Sequence, residues 1–209
     1  MFTINDAHNR GVTAVTVTND CRRIISGGGE GMIRIWQINP NSRELLATMK
    51  EHKNAVVAIR INKSDTECVT ASLDGTCIIW NLKRFARDQV LFENTLFQCV
   101  AYHPEEYHII TGVHPYRTIC FFLNSIWHAS TGNELLRITQ ANKTCNSICF
   151  TRDGKIIISG WDDGRIRAFY PESGREMFTI NDAHNRGVTA VTVTNDCRRI
   201  ISGGGEGMI

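Results

Sequence analysis

Short runs of alternating residues dominate the chain. Residues 11–18, GVTAVTVT, set apolar side chains between polar or small ones. RRIISGG (22–28) follows an Asn-Asp pair and runs into glycines. The same texture returns in AVVAIRIN (55–62), ECVTAS (67–72), TCIIWNL (76–82), ICFT (148–151) and KIIISG (155–160). Segments of four to eight residues with turn signals between them predict antiparallel β-sheet. No window carries a convincing helical period. LKRFARDQV (82–90) comes nearest, and it is short enough for a loop or a single turn. The pattern predicts an all-β chain.

Within that pattern a longer period is present. GGGEGMIRIW (27–36), SLDGTCIIW (72–80) and GWDDGRIRAF (160–169) align on an acidic residue, a glycine and a closing aromatic. The aromatics are Trp36, Trp80 and Phe169; the acids before them are Glu30, Asp74 and Asp163; before those stand Ser26, Thr70 and Ser159. Upstream lie His8 and His52, and a last repeat holds His184, Ser202 and Glu206. The unit is about 43 residues: an outer strand, a loop, three strands. Five units run over about 1–38, 44–82, 90–124, 134–172 and 176–209.

Such units resemble the WD-repeat β-propeller family. The resemblance implies one partial propeller domain over 1–209, with about four blades, a truncated fifth and an incomplete ring. It also implies that His8, Ser26, Glu30 and Trp36, then His52, Thr70, Asp74 and Trp80, then Ser159 and Asp163, then His184, Ser202 and Glu206, serve a buried hydrogen-bond relay across each blade. An indole N–H only donates, a hydroxyl passes the bond on, and an imidazole links it to a carboxylate. Ser, His and acid together also evoke a hydrolase triad. A catalytic set occurs once, however, whereas this one recurs and drifts. Glu30 replaces Asp in the first unit, and the fourth has Phe169 for Trp and no loop histidine. No catalytic residue is assigned.

The third repeat is the least regular. After TLFQCVAYHPEEYHIITG (95–112), Pro115 stands where the acid belongs and Phe121 where the Trp belongs. Either TICFF (118–122) is the third strand of a degenerate blade, or foreign sequence joins near residue 113 before a strand resumes at IWHA (126–129). The second assignment is preferred because of the duplication: residues 1–33 recur letter for letter at 177–209. Repeats in one propeller diverge, so this is one segment read twice. Order 134–209 followed by 34–112 reads as an unbroken three-repeat run, which predicts a wrapped or rearranged native order.

Composition narrows the function. The chain has 209 residues, 42% hydrophobic and 21% charged, with formal charge +2, too balanced to imply nucleic acid. No apolar run approaches the ~20 residues of a membrane span. The start MFTINDAHNR lacks the pattern of a secretory signal. The eight cysteines form no CxxC pair, and Cys145 and Cys149 lie too far apart along a strand to share a metal, so they are expected to be reduced, buried thiols. SGGGEG lacks the Lys-Ser/Thr of a phosphate loop. No metal, cofactor or small-molecule substrate is expected.

Several phrases go beyond generic repeats: CNSICFTRDGKIIISGWDDGRIRAF, AHNRGVTAV, RRIISGGGEG, ECVTASLDGTCIIW, TLFQCVAYHPEE and NELLRIT. They resemble the family of cilia- and flagella-associated protein 52, over nearly all of the chain except about 113–125. That resemblance implies a non-enzymatic scaffold in the cytoskeleton of the cilium or flagellum, an inner protein of axonemal doublet microtubules with tubulin and other axonemal proteins as partners. The alternative is a WD-repeat adaptor of another intracellular complex, a ubiquitin ligase or chromatin. Arg10, Lys53, Lys143 and Arg186 follow the loop histidine or its equivalent and are candidate contacts to an acidic partner surface. Turn positions are often cationic in any case. The pairs Arg22-Arg23 and Arg198-Arg199 are expected to be solvated turns at the opposite rim. An open ring would expose sheet faces and edges, so the isolated chain is expected to associate or to be poorly soluble.

Overall fold

A computed structural model describes residues 3–40, 42–114, 122–140 and 143–208. Among them there is no helix, and none therefore long and apolar enough to cross a membrane. The strands fall into four antiparallel meanders and a hairpin. The first sheet is β1 (Val12–Val17), β2 (Arg23–Gly28), β3 (Ile33–Ile38) and β4 (Arg43–Met49). The second is β5 (Val56–Ile61), β6 (Glu67–Ser72), β7 (Thr76–Asn81) and β8 (Ala86–Phe92). The third is β9 (Leu96–Tyr102), β10 (His108–His114), β11 (Phe122–His128) and β12 (Glu134–Gln140). The fourth is β13 (Cys145–Phe150), β14 (Ile157–Trp161), β15 (Ile166–Phe169) and β16 (Glu176–Ile180), and β17 (Val188–Val193) pairs β18 (Ile200–Gly204). These are propeller blades, and the all-β reading of the alternation holds.

Each blade takes its fourth strand from the start of the next sequence unit: β4 closes the first sheet although Glu44 opens the second unit. The segment 82–90 corrects one expectation. Leu82–Phe85 is a turn, with Phe85 at φ 52°, but Ala86 already enters β8. Its apparent helical spacing came from a turn followed by an outer strand with one solvated face.

The third blade corrects another. β11 pairs β10 in continuous register from His108↔His128 to Gly112↔Asn124, and pairs β12 on its other side. The third strand thus starts at Phe122, four residues ahead of the strand expected to resume at Ile126, and residues 122–128 belong to the blade. Pro115, Phe121, Cys120 and most of TICFF lie outside the described residues.

The chain divides into two compact units, Met1–Asn94 and Thr95–Ile209. The first has a core of Ile25, Ile33, Ile35, Val56, Ile59, Ile78 and Trp80. The second has one core around Ile110, Ile126, Cys145, Ile148, Trp161 and Phe169, and another around Ile158, Ala168, Val188 and Val191. Inside each unit the blades stack face to face. β5 lies on β1 and β2, β13 on β9 and β10, and β17 on β13 and β14. Strands covered on both faces lose their alternation, which is why β14 and β15, in the blade between the third blade and the β17–β18 hairpin, are wholly buried and read as apolar runs.

Stacking depends on glycines in the second strand. A Cβ at Gly27 would stand 2.7 Å from Val56 Cγ1, and one at Gly160 would stand 2.5 Å from Val188 Cγ1. A valine that opens one blade's inner strand thus sits in a notch of the preceding blade. The notch is latched by a polar side chain: Thr13 Oγ1 donates to the Val56 carbonyl (2.5 Å), and Asn146 Nδ2 to the Val188 carbonyl (3.0 Å).

Seven cysteines are described, and none of them is joined in a disulfide. Cys68, Cys77, Cys99 and Cys145 are buried, as their composition class predicts, but Cys21 and Cys197 are exposed. Both occupy turns at φ 57° and 58°, whose geometry outranks the preference of a thiol for the interior.

Candidate functional site

The tight turn between the second and third strands carries the acid in the first, second, fourth and last repeats. Gly31, Gly75, Gly164 and Gly207 adopt φ between 77° and 83° there, a region closed to most side chains. The glycine also admits the following loop: His184 N–H donates to the Gly164 carbonyl (3.1 Å), and a Cβ on Gly164 would collide with the His184 carbonyl. Turn and loop are thereby held together, and acid and histidine meet.

In the first blade Trp36 Nε1–H donates to Ser26 Oγ (2.9 Å), the Ser26 hydroxyl to His8 Nε2 (2.8 Å), and His8 Nδ1–H to Glu30 Oε1 (2.6 Å). In the second, Trp80 reaches Thr70 (2.8 Å), Thr70 reaches His52 (2.7 Å), and His52 Nδ1–H is shared between Asp74 Oδ2 (3.2 Å) and Thr76 Oγ1 (2.9 Å). His184 bonds Ser202 (2.9 Å) and Glu206 (2.6 Å) in the hairpin of β17 and β18. The three histidines are buried. Each acid is gripped from the backbone as well: Arg10, Lys53 and Arg186 donate their N–H to Glu30 (3.4 Å), Asp74 (2.7 Å) and Glu206 (3.1 Å). Burial would raise the Asp74 carboxyl, but bonds from His52, Thr76 and the Lys53 N–H outweigh it and hold it well below the usual carboxylate range. The same opposition lowers Glu30 and Glu206.

The fourth blade departs from the expected relay. Asp163 is paired with Arg167, through Nη2 at 2.7 Å and Nη1 at 3.2 Å, in place of a histidine. Burial raises its carboxyl, and the Arg167 guanidinium, the Arg165 N–H and the charge of Lys143 together lower it further. Ser159 accepts its indole bond from Trp161, two residues away (2.8 Å), while Phe169 is simply buried. Arg167 also lies over the Trp161 ring, 5.1 Å from its centre. In the third blade the indole is Trp127, which donates to Thr111 (3.0 Å), so the position expected at Phe121 is filled elsewhere. Thr76, Thr111, Trp127, Trp161 and Arg167 were all missed by spacing. One available signal was the Thr-Gly at 111–112, which mirrors Ser-Gly at 26–27.

The Ser26–His8–Glu30 distances match those of a hydrolase triad, but the chemistry is blocked. A nucleophile needs an open approach to its oxygen. Ser26 is 4% exposed and its oxygen already receives the Trp36 indole. The arrangement instead closes a polar chain from turn to loop. Because backbone amides hold the acids, the side chains that follow the histidines point away: Arg10, Lys53 and Arg186 are exposed. Lys143 is half-buried and within the field of Asp163, so it is partly committed to its own blade. At the opposite rim Arg22 is exposed, whereas Arg23 donates to the Leu82 carbonyl (3.3 Å) and braces two blades.

In the second unit a pocket of about 620 Å³ is lined by His103, His108, Phe150, Lys155, Tyr170 and Glu172 among others. Both ring nitrogens of His103 are bonded to backbone there. Its Nδ1 accepts the N–H groups of Glu105 (3.2 Å) and Glu106 (2.9 Å), and its Nε2 donates to the Gly154 carbonyl (3.1 Å). No group of three or more His, Cys, Asp or Glu suited to a metal occurs among the described residues.

Comparison with known proteins agrees with this architecture. Cilia- and flagella-associated protein 52 of Mus musculus is 40% identical in an alignment that covers 100% of this chain, and that of Chlamydomonas reinhardtii is 42% identical over the same span. The chain spans about a third of the length of these curated relatives, 33% in both. A guanine nucleotide-binding protein subunit beta-like protein of Encephalitozoon cuniculi is 25% identical over 76% of the chain and 53% of its own length. The family described as WD domain, G-beta repeat matches residues 2–37, 43–81 and 132–169. With blades, turn glycines and buried indoles arranged as they are, the chain belongs to the WD-repeat family.

Proposed function

We propose that this chain is a structural, non-catalytic WD-repeat scaffold of motile cilia and flagella, an inner protein of axonemal doublet microtubules. The observation that carries the proposal is the 39–42% identity, over essentially its full length, to proteins named cilia- and flagella-associated protein 52. The repeated use of Ser, His and acid supports a scaffold as well, because each set is spent on internal hydrogen bonds. The partners in this reading are tubulin and neighbouring axonemal proteins. Arg10 and Lys53 in the first unit and Arg186 in the second are exposed beside carboxylates that are already occupied, and cations so placed favour an acidic surface.

The test is retention. A tagged chain expressed in ciliated cells is followed through axoneme isolation and high-salt extraction. Retention with the doublets after salt supports the proposal, and replacing Arg10, Lys53 and Arg186 by Glu is expected to release the protein at lower salt with its fold intact. Recovery in a soluble complex with ubiquitin-ligase or chromatin subunits overturns it in favour of an adaptor.

A further inference from the structure

The repeated segment supplies its own comparison. Residues 1–33 and 177–209 are identical, yet they are covered on opposite faces. In the first copy Ile25 is fully buried beneath the second blade, while Val12 and Val15 are 52% and 59% exposed. In the second copy the equivalent Val188 and Val191 are 0% and 8% exposed, while Ile201, equivalent to Ile25, is 47% exposed. The same holds for the notch. Val56 fills the one at Gly27, but the nearest atom to a Cβ at Gly203 is Thr189 Oγ1 at 4.0 Å. The latch is idle too: Thr13 Oγ1 lies 3.0 Å from the Gly27 carbonyl and 2.5 Å from that of Val56, whereas its twin Thr189 keeps the equivalent Gly203 carbonyl (3.0 Å) with no counterpart of Val56 beside it among the described residues. One end of the chain therefore carries a valine without a notch, and the other a notch without a valine.

We propose that these two faces are partners and that the chain associates head to tail with a second copy of itself. Val12 of one molecule enters the notch over Gly203 of the next. Val15 packs on Ile201, as Val191 shares a core with Ile158 and Ile59 with Ile25. Thr189 keeps the Gly203 carbonyl and gains that of Val12, as Thr13 lies against the carbonyls of both Gly27 and Val56. The occupant is a second copy because the interface continues the blade-on-blade contacts already built within each unit, with the same residue types in the same places. Such a contact joins two different faces, so it propagates rather than ending at a symmetric pair.

Light scattering on the full chain tests this. The mass is expected to rise with concentration above the 23.5 kDa of one chain. Val12→Glu destroys the knob and Gly203→Leu fills the notch. Each variant alone is expected to stay at one-chain mass, with a thermal melt close to the parent's because both positions lie in uncovered faces. Mixed in equal amounts, the two retain one good face each and are expected to form a species of twice that mass. A parent that stays at 23.5 kDa at every concentration overturns the proposal, as does a single variant that still associates or a mixture that stays monomeric.

Discussion

At Asp74 burial and hydrogen bonding pull in opposite directions, and bonding wins. Its carboxyl is lowered in the folded chain from 3.8, so the unfolded chain binds more protons on acidification. Its contribution to stability is complete above about pH 5 and is lost as pH falls from there toward the lowered folded value. Urea unfolding of Asp74→Asn is expected to show a constant deficit against the parent near neutrality, and a shrinking one as the solution is acidified below about pH 5. A deficit independent of pH would remove the charge from the account. The residue scale is also where spacing reaches its limit. His8, Ser26, Glu30 and Trp36 stand at separations set by one hairpin, with the indole ten residues past the hydroxyl, as in Thr70 and Trp80. In the third blade that separation is 16, from Thr111 to Trp127, because the hairpin is longer. In the fourth the indole moves to the neighbouring position on β14, and no rule of separation finds it. Arg167 in the place of a histidine is legible only once Asp163 is seen beside it.

The elements themselves were largely readable from alternation and turn residues, because each strand pairs with its sequence neighbour and little depends on distant contacts. What alternation cannot tell is which face is covered. VTAVTV occurs as β1 and as β17 with the same local preferences, and its burial differs entirely. The difference is tertiary and predicts unequal costs. Val188→Ala empties a filled notch and is expected to lower stability by about 2–3 kcal/mol. Val12→Ala trims an exposed side chain and is expected to stay within about 0.5 kcal/mol. Parallel denaturant titrations at low protein concentration, where chains are separate, read both. Equal costs would mean that the two strands share one environment.

For the whole molecule, the division after Asn94 has an energetic counterpart. Each unit encloses its own apolar cores, so each can lose its structure as a cooperative block. Calorimetry on the Val12→Glu chain is expected to give a measured enthalpy larger than the van't Hoff value, the mark of more than one transition. Equality of the two enthalpies would show a single block. The repeat period announced blades, but nothing in it marked this division. The residues around Asn94 are ordinary strand and turn, and the boundary lies in which side chains meet.

The paired segments also carry a history that can be read forward. Two copies that begin alike are constrained differently once they are seated. In the first, substitutions at 12, 15 and 17 meet only solvent and those at 25 meet a neighbour; in the second the pressures are reversed at 188, 191 and 201. Left to mutation, the copies should drift apart first at these positions, each on its bare side. Lineages in which both sides stay apolar are those in which something keeps covering them.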